Sequence, residues 1–96
     1  MSKVLIIEDD KAIVDILIMI LEHEGYETDF AFNGPSGIKK FEKNLPDVVL
    51  LDIKMPRMDG IEVLEKLKKI DEKPIVIMIS GHGTIETDVQ TTKLGA

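Results

Sequence analysis

The chain alternates between short, wholly apolar runs and stretches in which apolar residues recur at helical spacing. Val4-Leu5-Ile6-Ile7 is the first run, ended by Glu8-Asp9-Asp10. A continuous run of this kind suits a strand covered on both faces. Ile13, Ile16, Leu17, Ile20, Leu21 and Glu24 follow at helical spacing, which predicts a helix over 11–24, capped by Asp10 and ended by Gly25. Tyr26, Thr28 and Phe30 then alternate with Glu27 and Asp29, the mark of a strand with one drier face. Asn33-Gly34-Pro35 is a turn that feeds a short helix around Ile38 and Phe41. Val48-Val49-Leu50-Leu51 repeats the first pattern and again stops at an acid, Asp52. Asp59-Gly60-Ile61-Glu62 reads as a capping box opening a helix that carries Ile61, Leu64, Leu67 and Ile70. Pro74 leads into a third doubly apolar strand, Ile75 to Ile79, which ends at Ser80. Thr84 then caps a last, weakly amphipathic helix that stops at Gly95.

The order is strand–helix four times over, with crossovers long enough for parallel pairing. That predicts an α/β fold: an open, doubly wound, mostly parallel sheet with helices on both faces. Composition fits one small domain, since the 96 residues are 44% hydrophobic and 31% charged. The net charge of −6 argues against nucleic acid or an anionic membrane as the domain's own partner. With no cysteine there is no disulfide framework, thiolate zinc site or cysteine nucleophile. The first apolar run is too short for a signal-peptide core and no run reaches transmembrane length, so a cytoplasmic protein is the default reading.

In such folds ligands bind beyond the carboxyl ends of the strands. Glu8, Asp9 and Asp10 follow the first strand, Asp52 closes the third, and Ser80 closes the fourth. Taken singly, each acid has a plain structural role as a helix cap or a solvated turn. Taken together, carboxylates converging on one spot repel unless a cation lies between them. With oxygen ligands alone, Mg²⁺ is the natural cation. Beside a carboxylate and a hydroxyl, such a site suits phosphoryl chemistry, in which the carboxylate itself can be the nucleophile.

Four segments, Val4 to Asp10, Val48 to Pro56, Asp59-Gly60 and Ile77 to Gly81, resemble the receiver domain of two-component response regulators, in that family's order and spacing across the whole chain. The segment Ile79 to Thr87 is similar to receivers of the nitrogen-regulation group, the NtrC/NtrX-like regulators, whose effector modules activate transcription. The resemblance implies a flavodoxin-like (CheY-like) sheet of strand order 2-1-3-4. It implies that Asp52 accepts a phosphoryl group from a sensor histidine kinase. Asp9, Glu8, Asp52 and the backbone carbonyl of Lys54 would hold Mg²⁺. Ser80 would bond a phosphoryl oxygen and relay the change to an output domain, with Asp10, Pro56, Gly60 and Gly81 supporting the site loops. In this family the first helix docks on the kinase's helical bundle. Ile18 and Met19 widen that helix's apolar stripe, so an exposed Ile18 would fit the partner surface, a broad core helix being the plainer account.

The family has five strand–helix units, and its fifth strand opens with a lysine that pairs with the phosphorylated aspartate, preceded by an aromatic residue. The sequence ends at Leu94-Gly95-Ala96, where that strand would begin, and Lys93 lies in the wrong place to substitute. The expectation is a receiver domain over 1–96 that is C-terminally incomplete, or that covers the edge of its fourth strand by self-association through that strand or the last helix.

Three other readings compete with this one. A magnesium phosphatase of the haloacid-dehalogenase type needs a second acid two residues after Asp52, where Lys54 stands. Ser80 with His82 suggests a hydrolase, but no glycine elbow precedes Ser80. A degenerate receiver that only binds partners is argued against by Glu8, Asp9, Asp52 and Ser80, and for by the missing lysine. Pro56 and Gly60, around Met55 and Met58, read equally well as turn chemistry alone. Lys66, Lys68 and Lys69 are the solvated face of the third helix.

Overall fold

The computed structural model describes residues 2–53 and 59–79 and the backbone of 85–86. The elements are β1 (Lys3–Ile7), α1 (Lys11–His23), β2 (Glu27–Ala31), α2 (Gly34–Asn44), β3 (Val48–Asp52), α3 (Gly60–Ile70), β4 (Ile75–Ile79) and β5 (Ile85–Glu86). One sheet runs in the order β2-β1-β3-β4-β5. Its first four strands are parallel, in the expected order 2-1-3-4.

Each helix begins where a polar side chain takes over an orphan backbone donor. Asp10 accepts from the Ala12 N–H at 2.9 Å, Asn33 from Ser36 at 2.8 Å, and Asp59 from Glu62 at 2.9 Å. Helix α1 ends before Gly25, whose φ of 91° is the left-handed conformation that favours glycine. Strand alternation then divides the core between the two faces of the sheet. Leu5, Ile7, Val49, Leu51, Val76 and Met78 pack with Phe41 of α2 and with Val63, Leu64 and Leu67 of α3. On the opposite face Val4 and Ile6 pack with Val14 of α1, flanked by Leu17, Ile18, Leu21, Val48 and Leu50.

Two expectations change here. Ile18 is half-buried against the core and is not an exposed docking residue. The exposed large apolar residues of α1 are Ile16, Met19 and Ile20, because the helix turns its Val14, Ile18 and Leu21 row onto the sheet. The helix expected after Thr84 also differs: Ile85 and Glu86 pair antiparallel with Ile79 and Met78 as β5. The carboxyl end of β4 offers unpaired backbone groups there, and a β-branched isoleucine suits a strand better than the first turn of a weak helix. Thr84, Gly95 and the remainder of that helix lie outside the described residues. No helix among the described residues is long and apolar enough to cross a membrane.

Candidate functional site

The parallel register of β1 and β3 pairs Ile7 with Leu51. The next residue on each strand is an acid, so Glu8 and Asp52 leave the sheet side by side. Both are buried, each only 1% exposed, while Asp9 is exposed. One carboxylate oxygen from each of Glu8, Asp9 and Asp52 lies within 4.8 Å of the others. The Glu8 main-chain N–H donates to the Ala31 carbonyl at 3.0 Å, which extends the β1–β2 ladder into the site and fixes the Glu8 backbone.

The electrostatics of the cluster are unfavourable as they stand. Glu8 is pushed up from 4.5 to about 7, first by burial and further by Asp9 and Asp52, against a lowering hydrogen bond from the Asp10 main chain. That Asp10 N–H donates to Glu8 Oε1 at 3.1 Å. Glu8 Oε2 is buried with no hydrogen-bond partner among the described residues. A buried carboxylate oxygen aimed into a cluster of acids costs free energy unless a cation meets it. An all-oxygen donor set of this kind fits a hard divalent cation such as Mg²⁺, and no histidine or cysteine stands with it among the described residues.

The structure thus brings Glu8, Asp9 and Asp52 together and sets Asp10 aside. Asp10's side chain caps α1 and its main chain anchors Glu8, a link the sequence signals only by adjacency. Gly60 lies at the start of α3, packed against the main chain at the end of β3. Lys54, Met55, Pro56, Met58, Ser80, Gly81 and His82 lie outside the described residues. The contact of Gly60 with Asp52 was missed in sequence. Its signal was Asp59, which as N-cap places Gly60 inside the helix, where no turn needs a glycine.

Residues 4–96 match the family model described as the response regulator receiver domain. The chain is 40% identical over 95 residues to sporulation initiation phosphotransferase F of Bacillus subtilis, across 99% of this chain and 77% of that protein. Its fold superposes on a CheY-like response regulator receiver domain protein from Methanospirillum hungatei with a TM-score of 0.90 at 38% identity, covering 100% of this chain and 77% of that one. NtrX from Brucella abortus matches with a TM-score of 0.85 at 40% identity, over 99% of this chain and 22% of that one. Other curated relatives are longer as well, and the chain spans between 21% and 42% of their lengths.

Proposed function

This chain belongs to the response regulator receiver domain family, and on that premise we propose that Asp52 accepts a phosphoryl group from the phosphohistidine of a sensor histidine kinase. Receiver domains are signalling domains of two-component systems, not enzymes in the ordinary sense. The observation that carries the reading is the pairing of buried Glu8 and Asp52 at adjacent strand ends, with Asp9 beside them. Glu8, Asp9, Asp52 and the backbone carbonyl of Lys54 would hold Mg²⁺. The metal, when bound, neutralises charge on the transferring oxygens. A carboxylate oxygen of Asp52 attacks phosphorus, the P–N bond breaks, and its electron pair stays on the imidazole. The product is an acyl phosphate on Asp52, formed by transfer without net hydrolysis.

Ser80 would bond a phosphoryl oxygen of that product and carry the change to an output domain. The length of the relatives supports an attached module, since the chain spans only 22% of NtrX. A transcriptional output of the nitrogen-regulation type is supported by that likeness and by the segment Ile79 to Thr87. The kinase would dock on α1, with the exposed Ile16, Met19 and Ile20 as its apolar contacts in place of Ile18.

The test is incubation with a small acyl-phosphate donor and Mg²⁺, followed by intact mass. One added phosphate is expected, labile in base and absent from Asp52→Asn. A phosphate gain that persists in Asp52→Asn would overturn the assignment.

A further inference from the structure

Gly60 opens α3 and is buried there. Its φ lies outside the left-handed region, so no turn conformation requires a glycine at this position. The requirement is steric. A Cβ at position 60 would stand 2.6 Å from the Asp52 carbonyl oxygen, 2.8 Å from Ile53 Cα and 2.9 Å from Met78 Cε. The first two are main-chain atoms at the exit of β3 and cannot rotate away. Ile53, the residue after Asp52, is held from both sides by hydrogen bonds. Gly60 N–H donates to the Ile53 carbonyl at 2.8 Å, and Ile53 N–H donates to the Ile79 carbonyl at 2.9 Å. The residue that follows Asp52 is therefore held between β4 and the first turn of α3.

We infer that Gly60 is a positioning residue for Asp52: by lacking a side chain it lets α3 seat on the Asp52–Ile53 peptide, which sets where the Asp52 carboxylate stands relative to Glu8 and Asp9. The inference rests on the phosphoacceptor reading above. Gly37 supplies the contrast. A Cβ there would meet Ile7 Cδ1 at 2.5 Å, Cγ1 at 2.7 Å and Cγ2 at 3.1 Å. Those are atoms of a side chain and not of the main chain, so Ile7 can take up part of the crowding at a cost in packing. Gly60 has no such relief.

The experiment compares Gly60→Ala with Gly37→Ala and Val63→Ala. Val63 is a fully buried residue of α3, and its truncation leaves a cavity in the core. Three readouts are taken: calorimetric Mg²⁺ affinity, the amide chemical shifts of Asp52 and Ile53 in metal-free protein, and phosphorylation rate at saturating donor and Mg²⁺. Gly60→Ala is expected to weaken Mg²⁺ binding about tenfold or more, to move the Asp52 and Ile53 amides, and to slow phosphorylation by about a hundredfold. Gly37→Ala and Val63→Ala are expected to melt earlier while holding Mg²⁺ affinity and rate within about twofold of wild type, a spread that ordinary context effects cover. If Gly60→Ala is unfolded in buffer, the measurements are made in trimethylamine-N-oxide, which favours the compact state. Wild-type affinity in folded Gly60→Ala, equal losses in the two control variants, or failure of Gly60→Ala to fold even in the osmolyte would each overturn the positioning role. A wild-type protein that takes up no phosphate counts against the phosphoacceptor reading instead, and the Mg²⁺ titration and amide shifts still judge Gly60.

Discussion

Glu8 carries the largest electrostatic tension in the molecule's described part. Its folded pKa of about 7 lies above its ordinary 4.5, so the folded state holds a proton that the unfolded chain has released. Between those values the unfolded state binds fewer protons, and stability falls as pH rises. The penalty begins near pH 4.5, reaches on the order of 3 kcal/mol by pH 7, and levels off above it. Metal-free protein is therefore expected to melt at progressively lower temperature from pH 5 to pH 7. Glu8→Gln should remove most of that slope and melt higher than wild type at pH 7. Mg²⁺ should do the same for wild type by taking the place of the proton, and should lose its effect in Glu8→Gln. Asp29 works in the opposite sense. Burial raises it, but hydrogen bonds from Lys40, the Phe30 main chain and Asn44 hold it below its ordinary 3.8. Its contribution is lost only under strongly acid conditions, so it does not obscure the window between pH 5 and 7. A melting temperature flat across that window in metal-free wild type would count against an ionised, crowded Glu8.

At the scale of elements, the capping residue of α3 links stability to the site. Asp59 accepts from Glu62 at 2.9 Å, and the residue after it is the one that bonds the Ile53 carbonyl and packs on the Asp52–Ile53 peptide. Asp59→Ala is expected to cost about 1 kcal/mol in denaturant unfolding. It should also raise hydrogen exchange at the first turn of α3 before other helices are affected, while Asp59→Asn retains most of both. The elements themselves were largely legible in sequence. Ile6 and Leu50 lie in runs apolar on both faces, and that pattern has one stable home, the interior of a parallel sheet. Asp10, Asn33 and Asp59 announced helix starts because their short side chains compete for orphan N–H groups. The convergence of Glu8 with Asp52 was legible because both follow the last apolar residue of a parallel strand, and parallel strands end at the same pole. What was not legible depended on rotation and competition. Ile18 and Ile16 are chemically identical, and only the angle at which Val14 meets the sheet decides which is covered. Ile85 was assigned to a helix on weak periodicity, and the open edge of β4 outweighed that preference.

At the scale of the whole molecule, one strand edge stands apolar and exposed among the described residues. β5 pairs only with Met78 and Ile79, so the Ile75–Ile77 stretch of β4 has no neighbour on its outer side among the described residues. Ile75 is 60% exposed. The register Val48↔Ile75 and Leu50↔Ile77 puts these side chains on the face that α1 covers. Thr28 Oγ1 donates to Glu22 Oε2 at 3.2 Å, which turns the polar flank of α1 toward β2. On α1, Ile16 and Ile20 are each 52% exposed. An exposed strand edge lined by apolar side chains favours association over solvation. The 96-residue chain is accordingly expected to self-associate in sedimentation equilibrium, with an average mass that climbs with concentration. Ile75→Lys should return it to a single monomeric species without lowering its helix content. Salt distinguishes apolar contact from ion pairing. Each copy carries a net charge of −6, and copies that meet through apolar groups do so against their mutual repulsion. Screening should therefore strengthen association as ionic strength rises, whereas contact through ion pairs would weaken. A wild-type chain that stays monomeric at high concentration and high salt would show that this face is stable in water.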